Sequence, residues 1–192
     1  MAEALFPVFL KLFGRAVLVV GGGPVAAAKA RALVSVGAKV RVVAPSVAEQ
    51  LRAIEVEIVE RPFAPADLEG AWLVIAAATP EVNRAVVAEA ERRRLFVNAV
   101  DDAQAATAYL GAVVRRGGVT LALSTDGQAP ALAGLLREGL EALLPNDLPA
   151  WLQTAQALRP GWKAEALPHR ARRPKLLEAL NGLYPPGERE RS

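Results

Sequence analysis

Three consecutive glycines, Gly21-Gly22-Gly23, run into Pro24-Val25-Ala26 and fit the pattern G-x-G-x-x-G/A. That pattern serves phosphate binding. The first glycine permits a tight turn, the second lets backbone approach a pyrophosphate, and the phosphate charge rests on the N-terminus of the helix that follows. Ala26 in the last position still allows close packing of helix on strand. On this reading Gly21, Gly22, Gly23, Pro24 and Val25 hold a dinucleotide; taken without context, a glycine triplet is only a turn. A carboxylate for the ribose hydroxyls is missing where the next strand ends: the sequence there is Ala44-Pro45-Ser46, and the nearest acid is Glu49. Ser46 therefore joins the glycines as a candidate cofactor contact. Arg41 lies inside that strand rather than past it, so the residues leave NAD and NADP both open.

Further candidates stand where strands should end. Asn98-Ala99-Val100-Asp101-Asp102 closes an apolar run, and ligands of open parallel sheets sit at the carboxyl ends of strands. A carboxylate there can act as a base beside a nicotinamide, or Asp101 and Asp102 can simply cap a turn. Thr79, before Pro80 and Glu81, is either a cofactor contact or a helix N-cap. Ser124-Thr125-Asp126-Gly127 either holds an anion or turns the chain. His169 is the one histidine of the chain, which excludes a multi-histidine metal site within a subunit and reads as a solvent-exposed residue of the tail. Trp72, Trp151 and Trp162 are too scattered to stack bases and read as core. Arg92-Arg93-Arg94 ends a helix, where positive charge complements the dipole.

The elements that must position these residues are legible as an alternation. Ala16–Val20 is an apolar strand; Pro24 opens a helix with Ala27, Ala30, Leu33 and Val34 on one stripe, and Gly37 stops it. Lys39–Ala44 is a second strand. Ile54, Val56 and Ile58 alternate with glutamates and mark a half-exposed third strand near a sheet edge, whereas Trp72–Ala77, apolar throughout, reads as central. Glu81–Arg94 is helical, with Val82, Ala85, Val86 and Ala90 spaced to face inward, and Leu95–Val100 returns as a buried strand. This order builds a parallel, doubly wound sheet. Thr107–Val114 and Val119–Ser124 then follow, joined by Arg115-Arg116-Gly117-Gly118, a connection too short for a crossover and therefore an antiparallel hairpin. Ala129–Leu144 is a strong helix. Two weaker ones, around Pro149–Leu158 and Lys175–Leu183, are separated by Pro160, Gly161 and Pro168.

The chain has 192 residues, 53% apolar and 22% charged, ample for a packed core. It has no cysteine, which excludes disulfides and thiolate metal sites and points to a reducing cytoplasm. No signal peptide is read at the start: Lys11 and Arg15 interrupt the apolar stretch. The longest uncharged apolar run, Ala16–Ala28, is shorter than the roughly 18 residues of a membrane span, so no membrane partner is expected. The net charge is +3, yet residues 1–150 carry 15 Lys and Arg against 16 Asp and Glu, and residues 151–192 carry 8 against 4. The basicity lies in the tail. It reads as a solvated helix face rather than a nucleic-acid site, because no exposed aromatics are interleaved with it.

Phe6-Pro7-Val8-Phe9 with Leu12, Arg15 before VLVVGGGPVAAAKARAL, Ala77-Ala78-Thr79 with Asn83, Asn98-Ala99-Val100-Asp101, and Ser124 through Ala129-Pro130-Ala131-Leu132-Ala133 with Leu135-Leu136-Arg137-Glu138 occur in this order. Together they resemble the precorrin-2 dehydrogenases, the NAD-dependent part of siroheme synthases. The resemblance runs from Phe6 to about Pro145. It implies an α/β fold: a Rossmann-like parallel sheet over 1–111, a hairpin-plus-helix dimerisation region over 112–147, and a small helical C-terminal part over 148–192. It further implies an NAD-dependent oxidoreductase that removes two hydrogens from precorrin-2, an octacarboxylate tetrapyrrole, to give sirohydrochlorin, as a cytoplasmic homodimer. Asp101 falls on the family's catalytic aspartate. Ser124 and Thr125 fall beside the substrate cleft, with Thr125 where relatives commonly have serine. Some relatives also insert iron, and the sequence leaves that open. The competing class is a non-enzymatic Rossmann module that responds to nicotinamide nucleotides, which would be expected to carry an effector domain; none is recognisable.

Overall fold

The computed structural model describes residues 4–184. It divides into two units, the first reaching to Leu110 and including Asp126–Ala129, the second made of Gly111–Thr125 and the chain from Pro130 onward.

The first unit is built on five parallel strands: β1 (Ala16–Val20), β2 (Lys39–Ala44), β3 (Glu57–Glu60), β4 (Leu73–Ala76) and β5 (Phe96–Ala99), in the order β3-β2-β1-β4-β5. Helices α1 (Pro24–Val34), α2 (Glu49–Arg52) and α3 (Pro80–Arg92) connect them. Successive residues of β1 serve opposite faces. Val17 and Val19 pack with Ala26, Ala27, Ala30 and Leu33 of α1, while Leu18 and Val20 pack with Val86, Val87 and Ala90 of α3. A sheet covered on both sides needs apolar residues at every position of its inner strands, which is why β1 and β4 carry no charge. The parallel doubly wound expectation is met.

Several boundaries differ from expectation. Of Ile54, Val56 and Ile58, Ile58 alone lies in β3. Ile54 N–H is bonded to the Leu51 carbonyl and Val56 N–H to the Ile54 carbonyl, so the ladder begins at Glu57, opposite Arg41. β5 is an edge strand, with Phe96 exposed and the next three residues buried. Its free edge is closed by the chain that follows, with Thr107 and Ala108 N–H on the Val97 carbonyl, Thr107 Oγ1 on Val97 N–H at 2.9 Å and Asn98 Nδ2 on the Ala108 carbonyl at 2.9 Å. Thr107–Leu110 consequently does not extend the hairpin. In α3 the buried face is Asn83, Val86, Val87, Glu89 and Ala90, and Ala85 is exposed. Glu89 is tolerated there because Arg92 and Arg93 both bind it. Trp72 is 52% exposed with the Arg15 guanidinium over its ring, so it is not core.

Asp67 is the other buried acid among the described residues of this unit. It sits in the short 3-10 turn Pro65–Leu68 before β4, is gripped by both Arg61 terminal nitrogens, and accepts the Ala64 N–H at 2.8 Å. The Arg61 hydrogen bonds hold its carboxyl below the ordinary value, against the opposing push of burial. Because the folded value is the lower one, this stabilisation is complete above the unfolded-state value near ~4 and is lost as pH falls through the folded value. Asp67→Asn is expected to cost about 1–2 kcal/mol at pH 7. Its thermal midpoint should converge on that of the unsubstituted protein as the pH falls below the ordinary carboxyl range; a difference that does not shrink as acid is added would contradict the assignment.

The second unit holds the hairpin β6 (Ala112–Arg116) and β7 (Val119–Leu123), then α4 (Pro130–Leu143), α5 (Leu148–Ala164) and α6 (His169–Asn181). Arg115 and Arg116 belong to β6, and Gly117-Gly118 alone makes the turn, at φ 54° and 83°, the two positive values a two-residue hairpin turn requires. α5 continues through Pro160, and α6 begins at His169, earlier than expected, and contains Pro174. Both prolines are exposed, as are Gln156 and Arg170 four residues before them, so each break in the helix bonding falls among exposed residues rather than in a core. His169 is exposed as expected, and Trp151 and Trp162 are partly buried. Among the described residues no helix is long and apolar enough to cross a membrane.

A dinucleotide crevice at the carboxyl edge of the sheet

The chain leaves β1 to build β2 and β3 on one side, then returns to build β4 and β5 on the other. Between β1 and β4 the order reverses, and the strand exits there form the crevice in which open α/β sheets bind ligands. A cleft of about 710 Å³ lies elsewhere in the first unit: Ala16, Lys39, Val56 and Gly70 line it, at the amino ends of the strands.

The three glycines are needed for three different reasons. Gly21 has φ 131°, donates its N–H to the Val43 carbonyl, and would place a Cβ 2.1 Å from the Ala77 carbonyl oxygen. It lets β1 and β4 close at the switch point. At Gly22 a Cβ would stand 1.8 Å from the Ser46 carbonyl oxygen, and the Gly22 carbonyl accepts the Ala48 N–H at 2.7 Å; this glycine seats the turn after β2. Gly23 has an ordinary φ of −85° and no atom within 4 Å of an added Cβ. Nothing in the protein demands glycine there. The open position faces the start of α1, where Gly23 is the N-cap with no side-chain cap and Pro24 follows, leaving the first N–H groups of the helix for a ligand. An uncapped helix start behind a bare backbone fits a pyrophosphate in size and charge.

Thr79 is exposed at the N-cap position of α3. Glu81 is held below the ordinary carboxyl value first by its own backbone N–H and then by the Thr79 hydroxyl, and the Thr79 side chain makes no cap bond to the helix backbone. Ser46 is exposed in the turn after β2. Arg41 is paired with Glu57 across the strands at 3.0 Å, in mid-strand rather than at the carboxyl edge. Asp101 is exposed just past β5, in the left-handed conformation at φ 59°, while Val100 N–H is bonded to the Ala76 carbonyl. The turn-capping role expected of either aspartate falls to Asp102, whose Oδ1 accepts the Ala105 N–H at 3.1 Å. Gly21–Val25, Ser46, Thr79 and Asp101 thus share one edge of one sheet. Ser124 and Thr125 belong to the second unit, directly after β7.

Reasoning from residue types alone assigned no task to two buried asparagines. Asn83 Oδ1 accepts the Ala78 N–H at 2.9 Å and shapes the loop from β4 to α3, and Asn98 ties the return segment to β5. An asparagine inside an apolar strand or on an apolar helix face is the signal, since a buried amide must be bonded.

A family model described as "Putative NAD(P)-binding" matches residues 8–112. The chain is 40% identical over 183 residues to a siroheme synthase of Photorhabdus laumondii, covering 93% of this chain and 39% of that one. It is 42% identical over 163 residues to siroheme synthase 3 of Aeromonas hydrophila, covering 82% and 35%. It therefore spans under two-fifths of the length of these curated relatives. The solved structure of SirC, precorrin-2 dehydrogenase, superposes with a TM-score of 0.70 at 25% identity, covering 93% of this chain and 98% of that chain.

Proposed function

The chain belongs to the NAD(P)-binding family, and on that premise we propose that it oxidises precorrin-2 to sirohydrochlorin with NAD, as an enzyme of siroheme biosynthesis. The observation that carries the reading is the convergence of the open Gly23 position, the uncapped start of α1 and Asp101 on the carboxyl edge of one sheet. The similarity to SirC across nearly the whole chain supplies the substrate.

When bound, NAD supplies the hydride acceptor. The chain's own residues do the rest. Gly21–Val25 receive the pyrophosphate through backbone and helix dipole. Ser46 and Thr79 border the nucleotide, and Arg41, in mid-strand and paired with Glu57, lies away from the edge where a 2′-phosphate would sit. Removing two hydrogens sends one away as hydride and one as a proton, and Asp101 takes the proton or orients the macrocycle for its loss. Ser124 and Thr125 are the hydroxyl contacts for the substrate's carboxylates. The absence of cysteine fits a reducing cytoplasm. Incubation of the purified chain with precorrin-2 and NAD tests the reading: sirohydrochlorin absorbance should grow in when both are present, and no growth would overturn it.

The working form is a homodimer. α4 leaves Leu132, Leu135, Leu136 and Leu143 exposed, and a row of leucines on one helix is a surface that a second copy can cover. Light scattering at micromolar concentration should give twice the chain mass; a monomer mass would contradict this.

A further inference from the structure

The turn that carries Asp101 lies outside any helix or strand. Beyond the Asp102 bond to Ala105, its geometry depends on what grips it from outside. Tyr109, at the end of the segment that returns along β5, does so. Its hydroxyl donates to the Ala103 carbonyl at 2.5 Å, in the middle of the turn. Its ring and the Ala103 side chain close around Gly127, where an added Cβ would come within 3.3 Å of the ring and 2.7 Å of the Ala103 Cβ. Gly127 is itself left-handed at φ 74°, so glycine is required there by both space and backbone. All of these residues lie in the first unit.

We propose that Tyr109 is a positioning residue for Asp101: by holding Ala103 against Gly127 it fixes the turn in which Asp101 keeps its left-handed backbone, and with it the direction of the carboxylate. The inference rests on Asp101 serving the oxidation. A left-handed aspartate persists only where its surroundings hold it, and a carboxylate misplaced by about 1 Å loses much of its effect on a proton transfer.

Tyr109→Phe keeps the ring and removes the donor. It should lower kcat for precorrin-2 oxidation about tenfold while leaving KM for precorrin-2 and NAD binding near their original values. Amide exchange over 101–105 should quicken, with β1 and β4 unchanged. In an Asp101→Asn background the same substitution should cost nothing further, because the two act as one unit. Plain loss of stability would instead lower both backgrounds alike. Asp101→Asn slow with Tyr109→Phe at full rate overturns the role of Tyr109 alone, as does an equal loss in both backgrounds; Asp101→Asn at full rate overturns the role of Asp101 on which it rests.

Discussion

Gly23→Asp is expected to weaken NAD binding by roughly 100-fold or more while leaving the fold as stable as before, or more so. The backbone at Gly23 is ordinary and nothing lies within 4 Å of an added Cβ, so a side chain can start there without strain. Aspartate is also among the best N-caps, and replacing a glycine N-cap with it is worth about a few tenths of a kcal/mol to a helix. The carboxylate that caps α1 would occupy the N–H groups meant for the pyrophosphate and repel its charge. Losing charge-assisted hydrogen bonds of about 1.5–3 kcal/mol, with repulsion added, gives the stated factor. Opposite signs for helix stability and affinity make the result diagnostic. Gly22→Ala has no such value, because a Cβ 1.8 Å from the Ser46 carbonyl oxygen must disturb the loop first. Calorimetry that found unchanged affinity in Gly23→Asp would remove the glycine loop from the cofactor site.

Asp101→Asn should reduce turnover by about 100-fold or more, the scale of general acid–base help, with NAD binding retained. Asparagine adopts the left-handed conformation as readily as aspartate, and the bond that caps the turn is made by Asp102, so stability should stay within about 0.5 kcal/mol. A group that merely turned the chain would show the reverse. The assignment fails if the folded variant oxidises precorrin-2 at the normal rate. Cobaltous ion insertion into sirohydrochlorin, measured with the same variant, reads whether any chelatase activity shares the residue.

The inner strands were legible because burial on both faces leaves an uninterrupted apolar run, as in Val17–Val20 and Leu73–Ala76, and the glycine triplet was legible because it joined such a run to a helix. Edges were not. Thr107–Leu110 has the same residue types whether it extends a hairpin or covers β5, and only the bonds to Val97 and Asn98 distinguish the two. The stop expected at Pro160 failed where the break it makes in the helix bonding falls among exposed residues. At the crevice, residue types pointed to Asp101 and Asp102 equally; the bond from Ala105 N–H to Asp102 and the left-handed backbone of Asp101 are visible only in the structure. The grip of Tyr109 on Ala103 joins residues across a turn that no periodicity describes.

The account is tested most directly by its stoichiometry. With oxygen excluded, the chain, precorrin-2 and NAD should yield one NADH for each sirohydrochlorin formed, followed together by their separate absorbances. Sirohydrochlorin formed without NADH, or NAD left unreduced while precorrin-2 persists, would contradict it.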